Sequence, residues 1–291
     1  MKKIFIGALV FIGISMFSQV QKFDFVTNVP DAEPSYVILP NKDSSQQEYM
    51  LGYIYFDGMA GYSFRAIGEL KMLNNKLSFS VPEEFKKSMH VSRVGNFGLK
   101  LAKLNSKTIE ELKLQNPPDW LATYYSNNPP TNEQLLKRAS MLNGGGAPQL
   151  ALPRLKSLYD KNFRSQDLYF ELAFAYNALK DFQNAEKITD EAIKLKKDND
   201  NLKKEYVYAL VNQKKITEAE DFMIANENKF SNDFAKSECY LNIGVYSAHF
   251  DKLDVAKKWL AKLSLQPNAS KFQKNIDTIT SIIKEKENQK K

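Results

Sequence analysis

Apolar and polar residues alternate through the first half of the chain, then recur every three or four positions through the second. Gly52-Tyr53-Ile54-Tyr55-Phe56 is aromatic and β-branched, and Tyr62, Phe64, Ala66 and Gly68 alternate with Ser63, Arg65, Ile67 and Glu69. A period of two places alternate side chains on opposite faces of a strand, so these runs predict a hairpin turning from Asp57-Gly58 to Gly61. Lys76–Ser80 alternates again after a turn at Asn74-Asn75, and a short strand is expected over Tyr36–Leu39. Residues 20–50, with Pro30, Pro34, Pro40 and the polar run Asn41–Glu48, read otherwise as an extended lead-in. His90–Val94 and Phe97–Leu104 are expected to pair across Gly95-Asn96. Thr108-Ile109-Glu110-Glu111 has the form of a capping box opening a short helix, which Pro117-Pro118 ends, and Asp119-Trp120-Leu121 begins another turn of helix. The pattern is a small antiparallel sheet closed by Asn127-Asn128-Pro129-Pro130, the strongest boundary signal in the chain.

From Thr131 the period becomes helical. Tyr169, Leu172, Ala173 and Tyr176 make one apolar face, and Phe182, Ala185, Ile188, Ala192, Ile193 and Leu195 make a second, with Asp181 at the turn between them. The pattern then returns. Ala151, Ala185 and Ala219 stand 34 residues apart, as do Ala139, Ala173 and Val207. Small residues recurring together at that interval predict pairs of helices whose backbones approach closely, stacked one on the next.

The unit 166–199 resembles the tetratricopeptide repeat through Tyr169, Leu172, Ala173, Tyr176, Phe182, Ala185 and Ala192. A second unit, 200–233, repeats it in Tyr206, Val207, Leu210, Ile216, Ala219 and Met223, although Asn226 stands where Ala192 stood. A third, 237–267, carries Tyr240, Ile243, Gly244, Leu253, Ala256, Leu260, Leu263 and Pro267 after a step of 37, which implies a longer loop near Phe230–Phe234. A degenerate first unit spans 131–164, with Gly144-Gly145-Gly146 at its turn and Pro153 inside its second helix. Phe272, Ile276, Ile279 and Ile283 form the stripe of a capping helix within 268–291, followed by a charged tail expected to fray from Lys284. The fold class is therefore α+β: a β-rich domain over 20–126, then a right-handed stack of helix pairs. The resemblance implies binding of a protein or extended peptide in a groove lined by the first helices, with Asn177, Lys180, Asn212 and Asn242 as exposed polar residues facing it.

Composition adds a location. Lys2 and Lys3 precede an apolar run from Ile4 to Phe17, and Ser18 precedes polar residues. That is the form of a secretory signal peptide over residues 1–19, with a retained anchor as the alternative. The protein is expected outside the cytoplasm, in a bacterial envelope or beyond it, with no further membrane segment. The formal charge of +7 arises mostly in the helical half: residues 20–126 carry 12 basic and 12 acidic groups, and residues 127–291 carry 27 and 22. Much of the excess is in Lys pairs such as Lys196-Lys197 and Lys214-Lys215, read as solvated turns rather than a nucleic-acid patch. Cys239 is the one cysteine, so no intramolecular disulfide forms. Its apolar surroundings suggest a buried thiol, against a disulfide-linked dimer.

The residues that carry chemistry are sparse. His90 and His249 are the only histidines and fall in different predicted domains, so no metal or cofactor site is expected. The three glycines at 144–146 lack a following Gly-Lys-Ser/Thr and read as a turn, not a phosphate cradle. Glu83-Glu84 and Glu110-Glu111 read as solvated acids at element ends rather than a hydrolytic pair. Trp120, Tyr124, Tyr125 and the hairpin aromatics could form a sugar-binding platform, the alternative to a core-packing role. The expectation is a non-catalytic scaffold, with a carbohydrate-binding or hydrolytic module on the β-rich domain as the alternative.

Overall fold

The computed structural model describes residues 23–40, 48–73, 76–125 and 129–289. The segment expected to be a signal peptide, the polar run to Gln47, the turn expected at Asn74-Asn75, the boundary residues Asn127-Asn128 and the final Lys290-Lys291 lie outside the described residues. The chain divides into two compact units: one holds the chain to Val94 and Gly98–Tyr124, the other Gly95–Phe97 and everything from Tyr125. No helix among the described residues is long and apolar enough to cross a membrane.

The first unit is an antiparallel sheet. In chain order its elements are β1 (Thr27–Asn28), β2 (Ser35–Ile38), β3 (Glu48–Asp57), β4 (Gly61–Leu73), β5 (Lys76–Ser80), α1 (Glu83–Lys87), β6 (Val91–Arg93), β7 (Lys100–Lys103) and α2 (Ser106–Glu111). Spatially the strands run β1-β7-β2-β3-β4-β5, with β6 also on β4. The expected hairpin is β3–β4, in register Asp57↔Gly61. Its turn is fixed by the Asp57 carboxylate, which accepts from the backbone N–H groups of Met59 and Ala60. The register shifts between Leu51 and Gly52, and the Phe64 ring lies over Gly52 so closely that a Cβ there would come within 2.1 Å of it. Glycine is required at that position by an aromatic ring across the strand pair.

Two expectations are corrected here. β6 and β7 do not form a hairpin: β6 pairs with β4, and β7 lies between β1 and β2. The burial explains it. Leu101 and Ala102 of β7 are buried in the sheet, whereas all of β6 is exposed, and Gly95–Phe97 between them leave the sheet for the helical unit. The short helix α2 begins at Ser106, and its cap is Asn105, which accepts from Thr108 N–H at 2.8 Å. Thr108 lies inside the helix rather than in front of it.

The α-helices of the second unit, among the described residues, are α3 (Asn132–Gly144), α4 (Pro148–Asp160), α5 (Gln166–Ala178), α6 (Phe182–Lys194), α7 (Asp200–Asn212), α8 (Ile216–Asn226), α9 (Asp233–His249), α10 (Leu253–Ser264) and α11 (Gln273–Gln289). The four pairs share one turn geometry. Gly146, Lys180, Lys214 and Asp251 all adopt positive φ, between 59° and 74°, at steps of 34, 34 and 37. In each turn the N–H three residues after the helix end closes back on the helix: Ala147 to Leu142 O, Asp181 to Tyr176 O, Lys215 to Leu210 O and Lys252 to Ser247 O. These are Schellman closures, which satisfy carbonyls that the helix leaves unpaired. The extra residues of the last step fall at Glu227–Lys229, a short 3-10 turn before α9.

The small residues sit where the helices cross. Ala173, Ala185, Ala192, Val207, Ala219 and Ala256 are fully buried, as are Tyr169 and Leu172 around them, while Tyr176 and Tyr206 are half-buried. Gly244 occupies the Ala173 position in the fourth pair, where a Cβ would stand 3.1 Å from Leu260. In the first pair Phe97 lies against Gly145, whose Cβ would come within 2.3 Å of the ring. Pro153 lies within α4 on its exposed side, so the helix continues through it. α11 buries Ile276, Ile279 and Ile283, and it stays helical to Gln289 rather than fraying from Lys284. Lys286 accounts for that: its ammonium donates to the carbonyls of Ala248 and His249 and to Asp251, tying the last helix to the end of α9.

Candidate functional site

Consecutive first helices pack on one another, α3 on α5, α5 on α7 and α7 on α9, while no two second helices are in comparable contact. The first helices therefore form the inner layer of the stack, the side on which a groove was expected. The first two of these crossings carry a polar clasp. Asn143 on α3 donates through Nδ2 to the Glu171 carbonyl at 3.0 Å and to its carboxylate at 2.7 Å. Ser140 adds a bond to the same carboxylate at 2.6 Å. One repeat later Asn177 on α5 does the same to Glu205, at 3.0 and 2.8 Å. Both Asn side chains are 4% exposed.

Asn177 is accordingly not an exposed groove residue. An amide that bonds both a carbonyl and a carboxylate is worth more to the stack buried between helices than it would be in solvent. Lys180 is exposed, but its place is the left-handed residue of a turn at the end of α5, off the inner face. Asn212 is half-buried at the end of α7, where it accepts from the Tyr246 hydroxyl at 2.8 Å and donates to Tyr208 O. It too joins neighbouring helices. Asn242 is half-buried at the position equivalent to Glu171 and Glu205. The four nominated residues do not form one site; three lie at or in the joints between first helices and one in a turn.

At the third joint the clasp disappears as a pair. Val211 stands where Asn143 and Asn177 stood, and Asn242 replaces the glutamate. With the amide donor gone, a buried carboxylate opposite would be left unpaired, so both members change together. Cys239, fully buried in the same core cluster, has its thiol pushed well up by burial, which places it out of reach of a partner cysteine.

The open stripe of the inner layer was not singled out in the sequence. Phe170 and Phe174 on α5, Tyr208 on α7, and Leu241 and Val245 on α9 are half-buried, at equivalent positions through the turn register. Tyr208 continues into a row of rings, with Tyr246 at 6.4 Å and Phe250 a further 6.2 Å on. The same helices carry Glu171, Glu205 and Glu238, with Lys204 3.8 Å from Glu205 and 3.3 Å from Glu238. Burial holds the Glu205 carboxyl above the ordinary range, and Glu238 and Glu171 add to the shift against the opposing pull of Asn177 and Lys204.

The remaining chemical candidates are placed as follows. His90 is exposed beside Ser88 and the Glu84 carbonyl, with its ring on Phe85. His249 rests against Phe250, far along the chain in the other unit. Glu83 pairs with Lys86. Among the described residues no group of three His, Cys, Asp or Glu is arranged to hold a metal ion. Tyr36, Tyr53, Tyr55, Phe56, Tyr62 and Phe64 are buried in the sheet unit, and Trp120 is covered by Tyr53, Tyr55, Tyr124 and the Arg65 guanidinium, 4.4 Å over its ring. Burial pushes the Tyr53 and Tyr55 hydroxyls up to about 12. The strand rings are core, whereas Trp120 and Tyr124 are half-buried.

No family model, no curated protein and no solved structure matches this chain.

Proposed function

We propose that the chain is an exported, non-catalytic interaction scaffold, and that its helix pairs are tetratricopeptide-type repeats whose inner layer holds a segment of a partner protein. The partner would be a protein or extended peptide of the cell envelope, bound without a cofactor. One observation carries this reading: the open stripe of the first helices keeps large apolar side chains half-buried at the same register position in successive repeats. A fold that had no use for that stripe would fill it with charged residues, as helix surfaces facing water usually are. Repetition of the stripe suits an extended ligand, which meets equivalent positions at regular intervals.

The test is affinity capture from the native envelope with wild type and with the Phe170→Asp, Phe174→Asp double variant. Both side chains are already partly solvated, so the variant is expected to keep its helical circular dichroism. Loss of a partner that wild type recovers is expected. Equal recovery by a folded variant would refute the inner-face reading.

A further inference from the structure

We propose that the sheet unit has a docking edge of its own: β6 takes an extended acidic segment of a partner protein as a further antiparallel strand. Half of the β6 backbone is already paired. Its register on β4 is Ser63↔Arg93, Phe64↔Ser92 and Arg65↔Val91, continued by Ala66 N–H to His90 O and Val94 N–H to Tyr62 O. The bonded positions are therefore His90, Ser92 and Val94, and the N–H and C=O groups of Val91 and Arg93 point away from β4. Among the described residues no strand pairs on that side, and all three residues of β6 are exposed.

The side chains on this edge point to a cover. Met89 is 60% exposed and Val91 40%. With Arg93 they fall at two-residue spacing, on the sheet face that carries Tyr53 and Arg65. An open strand edge with exposed apolar side chains is an association hazard unless another strand covers it. The charges decide which strand. Arg65 is half-buried and held over the Trp120 ring, yet among the described residues its guanidinium makes no hydrogen bond and no ion pair. Arg93 is exposed and has no carboxylate partner among them either. It lies diagonally from Arg65 across the strand pair, close enough for long side chains to meet. Two guanidinium groups with their donors unfilled suit a carboxylate, which the planar fork binds through two bonds.

The same features argue against other occupants. A second copy laid antiparallel on β6 would bring two pairs of arginines to one edge, and like charges brought together oppose association. An acidic glycan could meet the guanidinium groups, but the outward N–H and C=O groups of Val91 and Arg93 repeat with the period of a polypeptide strand. An added antiparallel strand sets Glu or Asp opposite Arg93 and apolar residues opposite Val91 and Met89, at every second position along it. All the residues of this edge belong to the sheet unit.

The experiment uses the full chain and two fluorescein-labelled heptapeptides, Thr-Glu-Thr-Val-Thr-Val-Thr and the same sequence with Lys for Glu, with binding read by fluorescence anisotropy. The Glu peptide is expected to bind at least tenfold more tightly than the Lys peptide, and less tightly as salt rises. Arg93→Glu, at an exposed position, is expected to reverse that order. Val91→Pro removes only the outward N–H and leaves the pairing with β4, since an edge strand tolerates proline there; it is expected to weaken the Glu peptide at least tenfold. N-methylation of the two peptide valines, whose N–H groups face β6 in the antiparallel register, is expected to do the same. Equal binding of the two peptides, or undiminished Glu-peptide binding by the Arg93→Glu protein with an unchanged circular dichroism spectrum, would overturn the acidic ligand. Full binding of the N-methylated peptide would overturn strand addition. A concentration-dependent dimer in sedimentation that Val91→Pro abolishes would give the edge to a second copy and overturn the proposal.

Discussion

Replacing Asn177 by Val copies the third joint into the second, and its cost can be worked from the bonds it removes. The substitution deletes the amide bond to the Glu205 carboxylate at 2.8 Å and the one to its carbonyl at 3.0 Å. The carbonyl lies within a helix and retains its own ladder partner, so most of the loss falls on the carboxylate. A bond to a charged acceptor contributes about 1.5–3 kcal/mol, and leaving the carboxylate buried without it raises the total to about 2–4 kcal/mol. At a urea dependence of about 2 kcal/mol/M, the midpoint followed by helical circular dichroism should fall by about 1–2 M. Glu205→Asn alone should cost less, about 1–2 kcal/mol, because the Asn177 amide loses its carboxylate but no charge is stranded. The double variant recreates the Val211 and Asn242 arrangement and should recover at least about 1 kcal/mol of the summed losses. Additive single effects, within about 0.3–0.5 kcal/mol, would refute the clasp as a coupled unit.

Other perturbations test separate parts of the fold. Lys180 holds φ at 62°, a region that favours glycine, so Lys180→Gly should raise stability by about 0.5–1 kcal/mol; a lower urea midpoint would contradict the strain. Because the Glu205 carboxyl is held above the ordinary range, the fold prefers it protonated, and its contribution is fullest at acid pH and lost as pH rises through the raised value. Glu205→Gln should therefore improve relative to wild type between pH 4 and pH 7.5 in matched urea titrations; the opposite trend would sink this assignment. Lys286→Ala removes the bonds to Ala248 O, His249 O and Asp251, and amide exchange in α11 should accelerate about tenfold while the exchange of α5 is unchanged.

Much of this architecture was legible from local pattern. The helix pairs could be placed because Ala173, Ala185, Ala219 and Ala256 must be small where two backbones cross, and that demand repeats with the fold. The hairpin could be placed because Tyr53, Tyr55, Tyr62 and Phe64 alternate with polar or small residues over a short turn. Strand pairing beyond the hairpin was not legible. β7 lies beside β2 although more than sixty residues separate them, and nothing local to Leu101 and Ala102 announces a distant partner. The polar residues of the first helices misled for a different reason. Asn177 looked like a surface residue, since asparagine is usually exposed. The signal that would have corrected it is the recurrence of Asn143 and Asn177, and of Glu171 and Glu205, each at 34 residues. A polar residue that keeps the period of the core belongs to the joints. The aromatic stripe stayed hidden because Phe170 and Phe174 are replaced by Lys204, Leu241, Tyr208 and Val245 in later repeats, so no single residue type recurs.

The inner layer as a binding face is tested most directly by photo-crosslinking from single positions in living cells. A photoreactive phenylalanine analogue at Phe174, on the open stripe of α5, is compared with the same analogue at Lys187, exposed on the second helix α6. Binding in the groove predicts a discrete crosslinked partner from position 174 and none from position 187. The same partner captured equally from both positions, or from 187 alone, would contradict it.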